Sequence, residues 1–364
     1  MKNVFLNQEQ IANIIKIAKL ENKVDAEACF KIFYASVQAV ISLKKDKIIQ
    51  EQQVINVHII LQYVLGELVY VYERNQEKLL AIDDLISIVN RVVDKYVSIE
   101  LFSIKTHGEY SRYSPVVTNI MTMISFMLSS IPSLKDMMKN EIRVDILEKV
   151  LFLAKCTIDL LVAGFETEAF STWRTLHESE CILIVLSSTT KKGMDSYLRH
   201  IIYNIAFRDG IKDKSEQDKI FIEIKEKMKE HDLKSKDMKK FIEYGWLYEA
   251  TDTTKFENFK LNFRNGLEVA AHLGNYNKWY EMSSEIAHSS PLLIYSRKVY
   301  FAKVTILNLF ESFFRIEKIF TSVYTNNLDQ IKCKKYLDMR NEYMDDIHNI
   351  YEDEKKKFLE LTRN

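Results

Sequence analysis

Three prolines and eight glycines are all that punctuate this chain of 364 residues. A sheet-rich fold needs many tight turns, and tight turns need those two residues. The scarcity therefore points to helices joined by short polar connections. Hydropathy agrees. In DAEACFKIFYASVQAVISLKK, Phe30, Phe33, Val37 and Ile41 recur every three or four residues, so one helical face is apolar. The same period runs through residues 47–75 (Val57, Ile60, Leu61, Val64, Leu68), with a further helix at 82–96. Asn7 and Asp25 are placed to cap the first two helices.

These patterns predict an all-α multi-helix bundle with two helical regions packed together. An N-terminal helical region covers 1–140, a second domain covers 141–325 with a charged insertion near 209–240, and a charged helical tail covers 326–364. Gly108 and Pro115 suggest a loop over 103–115, and Ile131–Pro132 a stop for the helix that follows. Further helices are expected at 143–163, 166–188, 194–208, 255–271, 276–289 and from Pro291 to Tyr324, with YGWLYEATD (244–252) as an aromatic-rich turn. The stretch from Lys212 to Lys240 reads as a solvated surface helix with flexible flanks.

Charge excludes one class of function. Lys+Arg and Asp+Glu both number 51, so no whole-chain field is built for nucleic acid. Cys29, Cys156, Cys181 and Cys333 have no CxxC spacing and fall in apolar helical patterns, which implies buried free thiols in a reducing compartment. MKNVFLNQEQ has no long apolar core. The run IMTMISFMLSSI is about half of the ~20 residues that a membrane span needs. The expectation is a soluble, cytoplasmic protein without a membrane role. No phosphate loop, dinucleotide fingerprint, HExxH or G-x-S-x-G is present, and no cofactor or metal site is expected.

Two helices carry the candidate chemistry. In TWRTLHESECILIVL, Phe170, Trp173, His177, Cys181 and Ile184 form a stripe. Arg174 and Glu178 are four apart at its edge. In KWYEMSSEIAHSS, Tyr280, Ser284 and His288 share a face, with His288 in the last turn, where the helix end favours imidazolium. Arg174, Glu178, Ser284 and His288 are thus the candidate polar set. They form either a network tying two helices or a site in which Arg174 grips a phosphate oxygen and His288 moves a proton. Arg199, His200 and Arg208 make a weaker phosphate-binding candidate, the alternative being a solvated rim.

WRTLHESE, YGWLYEA and YEMSSEIAHSSP, in that order, resemble the marks of a bacterial all-helical family of unknown function: an R-x-x-x-E helix, a YGW segment and a helix ending in S-x-x-x-H. The resemblance covers roughly residues 145–320. The late histidine is also similar to HEPN-type helical ribonucleases of bacterial toxins and phage defence, which place Arg, four to six intervening residues and then His on one helix and usually complete the site across a dimer. Here Glu281, Met282 and Ser283 stand at those positions, and Arg174 is the candidate for the missing cation. Because no complete catalytic set is legible, the favoured expectation is a helical sensor or interaction protein whose charged C-terminal helix and apolar N-terminal helices bind a protein partner or a second copy in a homodimer. The alternative that the resemblance implies is a HEPN-like ribonuclease or nucleotide-acting effector using Arg174 and His288, with RNA or a nucleotide as partner.

Overall fold

The computed structural model describes residues 6–45, 55–75, 82–107, 110–138, 141–288, 290–291, 298–328 and 330–363. Among them are fifteen α-helices and no strand, so the expected all-α class is the observed one. The chain forms two compact units, Met1–Gly108 and Glu109–Asn364.

The first unit has four helices: α1 (Gln8–Ile17), α2 (Ala26–Lys45), α3 (Val57–Asn75) and α4 (Ile82–His107). Asn7 caps α1 in a reciprocal box with Gln10, and Asp25 accepts the amide of Ala28 at 2.7 Å to start α2. Ile11, Ile15, Phe33, Val37, Val64, Leu68 and Val92 meet in its core. Glu67 is the polar exception. Nearly buried, it is held by Arg91 (Nε to Oε2, 2.7 Å) and Lys95, which remain half in water.

The second unit holds α5 (Tyr110–Met137), α6 (Ile142–Val162) and α7 (Glu166–Ser188), with α14 (Lys298–Asn327) and α15 (Gln330–Arg363) packed against them. Gly164, at φ 80°, makes the left-handed corner between α6 and α7. The α5 helix differs from expectation. It begins at Tyr110 and carries both Pro115 and Pro132 within it. A buried row from Tyr113 through Val117, Ile120, Ile124 and Ile131 to Leu134 spans both prolines. Tertiary packing thereby outweighs the ladder bonds that each proline removes.

A continuous α5 also changes the membrane reading. Residues 113–137 and 26–43 are long and apolar enough, by length and composition, to cross a bilayer. Each places one face in a helical core, as core helices of soluble proteins do.

A second cluster forms around α8 (Lys191–Phe207), α9 (Lys214–Lys229), α10 (Met238–Tyr244) and α11 (Leu247–Ala250). The charge-dense α9 is amphipathic rather than wholly solvated. Ile220, Ile224 and Met228 bury against Tyr203, Phe241 and Ile242. YGWLYEATD turns at Gly245–Trp246 between α10 and α11, and it does so inside the core, where Trp246 and Leu247 are buried. The expected helix at 255–271 breaks into a 3₁₀ turn (Thr253–Lys255), a π turn (Phe263–Leu267) and one turn of α-helix, α12 (Glu268–Ala270). Gly266 permits this, because a Cβ there would collide with the Lys260 carbonyl. After it, α13 spans Asn277–Ala287. The expected start of the next helix falls partly on residues 292–297, outside the described residues. Cys29, Cys181 and Cys333 are buried, whereas Cys156 is exposed, against the expectation for all four.

Candidate functional site

Each helix face of α7 turns a different polar group toward its neighbours. Trp173, His177, Glu180 and Cys181 have no exposed surface. Arg174 and Glu178 lie one step round and keep 25% and 36% exposure.

The inner face builds an ionic centre. His177 Nε2 lies 2.9 Å from Glu268 Oε1, and its Nδ1 is 3.9 Å from Glu180 Oε2. Arg315, from α14, grips Glu180 through Nε and through Nη2 (3.3 Å to Oε2). Ser312 Oγ donates to the same carboxylate at 2.7 Å. Arg315 Nη1 donates to Tyr276 Oη at 2.7 Å, and the guanidinium carbon sits 4.8 Å from that ring's centroid. Tyr276 and Tyr351 both donate to Glu311, the latter at 2.6 Å.

Burial disfavours charge on His177, but the surrounding acceptors outweigh it and push the pKa up to about 11. Burial also raises the pKa of Cys181 and keeps it a thiol, so Glu180 and Glu268 are the groups that hold the proton on the ring. For Glu180, burial works against ionisation, while Arg315 and His177 prevail and lower the pKa to about 2. Two cations, His177 fully buried and Arg315 a quarter exposed, therefore face two buried carboxylates. The arrangement is neutral as a set, which makes so deep an ion cluster tolerable. Trp173 Nε1, His177 Nδ1 and Glu268 Oε2 have no hydrogen-bond partner.

The outer face holds the first half of the sequence-derived set. Arg174 Nη2 donates to Tyr280 Oη at 3.1 Å, and Tyr280 donates to Glu178 Oε1 at 2.6 Å. Arg174 and Glu178 are themselves 3.3 Å apart, and the guanidinium carbon lies 4.8 Å from the Tyr280 ring centroid. Phe263, in the π turn, stacks on Tyr280 at 4.3 Å. Burial raises the Tyr280 pKa, and its bond to Glu178 raises it further, so the phenol stays protonated.

The other half stands apart. Among the described residues, no side-chain hydrogen bond joins Ser284 or His288 to the Arg174 cluster. His288 caps α13 and is exposed, eight residues beyond Tyr280, or about 12 Å along the axis. The serine that binds α7 is the preceding one: Ser283 is buried and donates to the Phe170 carbonyl at 2.9 Å. The second candidate set also separates. Arg199 is forked onto Glu223, with Nε at 2.9 Å from Oε1. His200 is buried on the Ile242 carbonyl, and burial lowers its pKa to about 4.

Glu180, Glu268, Tyr276, Ser312 and Arg315 were not among the residues singled out from sequence. Three had a readable signal. Glu180 follows His177 by three, so it shares its face, and Ser312 and Arg315 interrupt an aromatic run, FESFFRIEKIF. Nothing local marked Glu268. Among the described residues, no group of three or more His, Cys, Asp or Glu is placed to hold a metal ion.

No curated protein and no solved structure matches this chain. A family model does match residues 144–299, the stretch from α6 to the start of α14 that carries the outer cluster and His177, Glu180 and Glu268 of the inner one but not Ser312 or Arg315, and its description is "Family of unknown function (DUF5677)".

Proposed function

We propose that this protein is a helical sensor or interaction protein that acts by self-association, with its α7 polar clusters serving to fix the fold. The observation that carries the reading is the outward face of α8. Its inner face buries His200, Tyr203 and Ala206. Its outer face leaves Leu198 (44%), Ile201 (42%) and Ile205 (46%) in water, with Ile202 and Phe207 beside them. These positions follow the helical period, so they form one apolar stripe. Contiguous exposed apolar surface with a polar rim marks an association site. Here Arg208 and Glu243 stand at the rim, and Tyr197, Tyr244 and Ile242 extend the stripe into a groove. A second copy fits best. Two-fold pairing of one helix with itself sets stripe on stripe and buries no charge at the centre.

Sedimentation across a concentration series tests this. The parent should dimerise, and Ile201→Asp with Ile205→Asp should be monomeric with unchanged helical content. A parent that stays monomeric into the millimolar range overturns the reading.

The exposed imidazole of His288 supports a second reading, a HEPN-like ribonuclease or nucleotide-acting effector using Arg174 and His288. Incubating the same preparations with RNA decides it. Cleavage by the parent, lost in His288→Ala with the fold intact, would replace the interaction reading. Equal traces in both would remove the catalytic one.

A further inference from the structure

A cavity of about 550 Å³ opens where the ends of α6 and α7 meet the middle of α14. It lies in the range of small-molecule sites, roughly 300–1,000 Å³. Its lining is chemically one-sided. Arg143, Arg315 and Lys318 bring positive charge to it, His272 adds a ring to the lining, and among the described residues no Asp or Glu lines it. In a chain with equal numbers of acids and bases, that is a local segregation of charge. The four come from separate places: the first turn of α6, the corner after α12, and two positions three apart on α14. His272 holds a left-handed backbone, φ 59°, uncommon for a residue with a side chain. Between the cations are apolar walls, Ile184 and Ile319 among them.

The cations are unequally committed. Arg315 is neutralised by Glu180. Arg143 gives its Nε to Glu141 at 2.8 Å, and among the described residues its two terminal nitrogens make no hydrogen bond. Lys318 is exposed and has no carboxylate partner among the described residues. The carbonyl end of α7 also borders the cavity, and its partial negative charge opposes an anion. The hydroxyls of Ser187 and Ser188 do not relieve this for a ligand, since they donate to Leu183, Ile184 and Val185 carbonyls within the helix. Recognition must then come from Lys318 and the free end of Arg143. A bare anion gains little from such a site, while one attached to an apolar body also covers the walls.

We infer that this cavity is a binding site for a small amphipathic organic anion, a compact apolar or aromatic body carrying one phosphate or carboxylate head. The head meets Lys318 and Arg143, and the body lies along Ile184 and Ile319. The site uses neither the α8 stripe nor Arg174 and His288, so it stands or falls apart from the function proposed above.

Titration of the full chain with 1-naphthyl phosphate, followed by calorimetry, tests it, with 1-naphthol and inorganic phosphate as comparison probes. Naphthyl phosphate should bind saturably, at least tenfold more tightly than either comparison probe. Lys318→Glu should weaken it at least tenfold. Ser322→Trp, a substitution at an exposed lining position, should abolish it by filling the space. Circular dichroism and melting should match the parent in both variants. Absence of saturable binding by the parent overturns the inference. Undiminished affinity in folded Lys318→Glu does so too, and naphthol binding as tightly as its phosphate removes the anionic part.

Discussion

The two polar clusters of α7 are built from the same residue types and do different physical work. On the inner face, His177, Glu180 and Glu268 are removed from water, with the Arg315 guanidinium reaching them from a partly exposed position, and their mutual neutrality makes that burial tolerable. On the outer face, Arg174 and Glu178 keep contact with solvent and share a tyrosine hydroxyl. One helical step of rotation separates the two regimes. The lesson is that an ion pair's role here is set by its depth. The inner set can be removed only as a set, and the outer one can be trimmed atom by atom.

The largest expected effect is at the inner face. Glu180→Ala leaves the buried His177 and the partly covered Arg315 without their shared counter-charge. It should cost about 3–5 kcal/mol in urea unfolding, enough to leave much of the chain unfolded. His177→Leu alone strands Glu268 and should be similarly costly, whereas His177→Leu with Glu268→Leu should recover most of the loss. A double variant no more stable than either single one would break the comparison, because the centre would then not be an ion cluster in balance.

Next comes the pH dependence of stability. The pKa of Glu180 is lowered in the fold, so its contribution is present above the ordinary carboxylate pKa and is lost as pH falls toward about 2. The pKa of His177 is raised, so its contribution is complete below the ordinary imidazole value and is lost as pH rises toward about 11. Thermal unfolding should therefore show a plateau only between the ordinary carboxylate and imidazole values, with stability falling below it toward pH 2 and above it toward pH 11. Stability that stays level on going from pH 7 to pH 9, where the imidazole of the unfolded chain has lost its proton and that of the folded one has not, would show that His177 is not held between the two carboxylates.

Smaller effects belong to the outer face. Tyr280→Phe keeps the stack on Phe263 and removes the hydroxyl shared by Arg174 and Glu178. It should cost about 1 kcal/mol. Adjacent serines sharpen the contrast further. Ser283→Ala should cost about 1 kcal/mol because the Phe170 carbonyl loses its buried donor, and Ser284→Ala should stay within ~0.5 kcal/mol. The smallest change is expected from His288→Ala, an exposed cap whose loss should also fall within ~0.5 kcal/mol.

Much of this was legible beforehand. The 3.6-residue period and the lack of breakers specify helices, and the α6 and α7 boundaries lie within a residue or so of those read from sequence. Arg174 and Glu178 were legible as a pair because four residues on a helix is a fixed local distance. Tyr280 was visible on its face of α13, but not its partners, which are about a hundred positions away in the chain. The reading failed where packing overrode local preference. Pro115 and Pro132 look like stops and are held inside α5 by the core on either side. Residues 253–270 have helical composition and instead fold as 3₁₀ and π turns, which set Glu268 against His177.

The amino-acid order by itself determined that this chain is helical, and which residues share a face of each helix. Both follow from backbone geometry and hydropathy over a few turns. Only the tertiary structure decided which faces meet. It placed Glu268 and Arg315 around His177, chose Ser283 over Ser284, and left His288 in water. Those outcomes depend on how helices distant in sequence rotate and pack to bury apolar area, and a charge acquires its meaning only from the depth and the partners that this packing assigns to it.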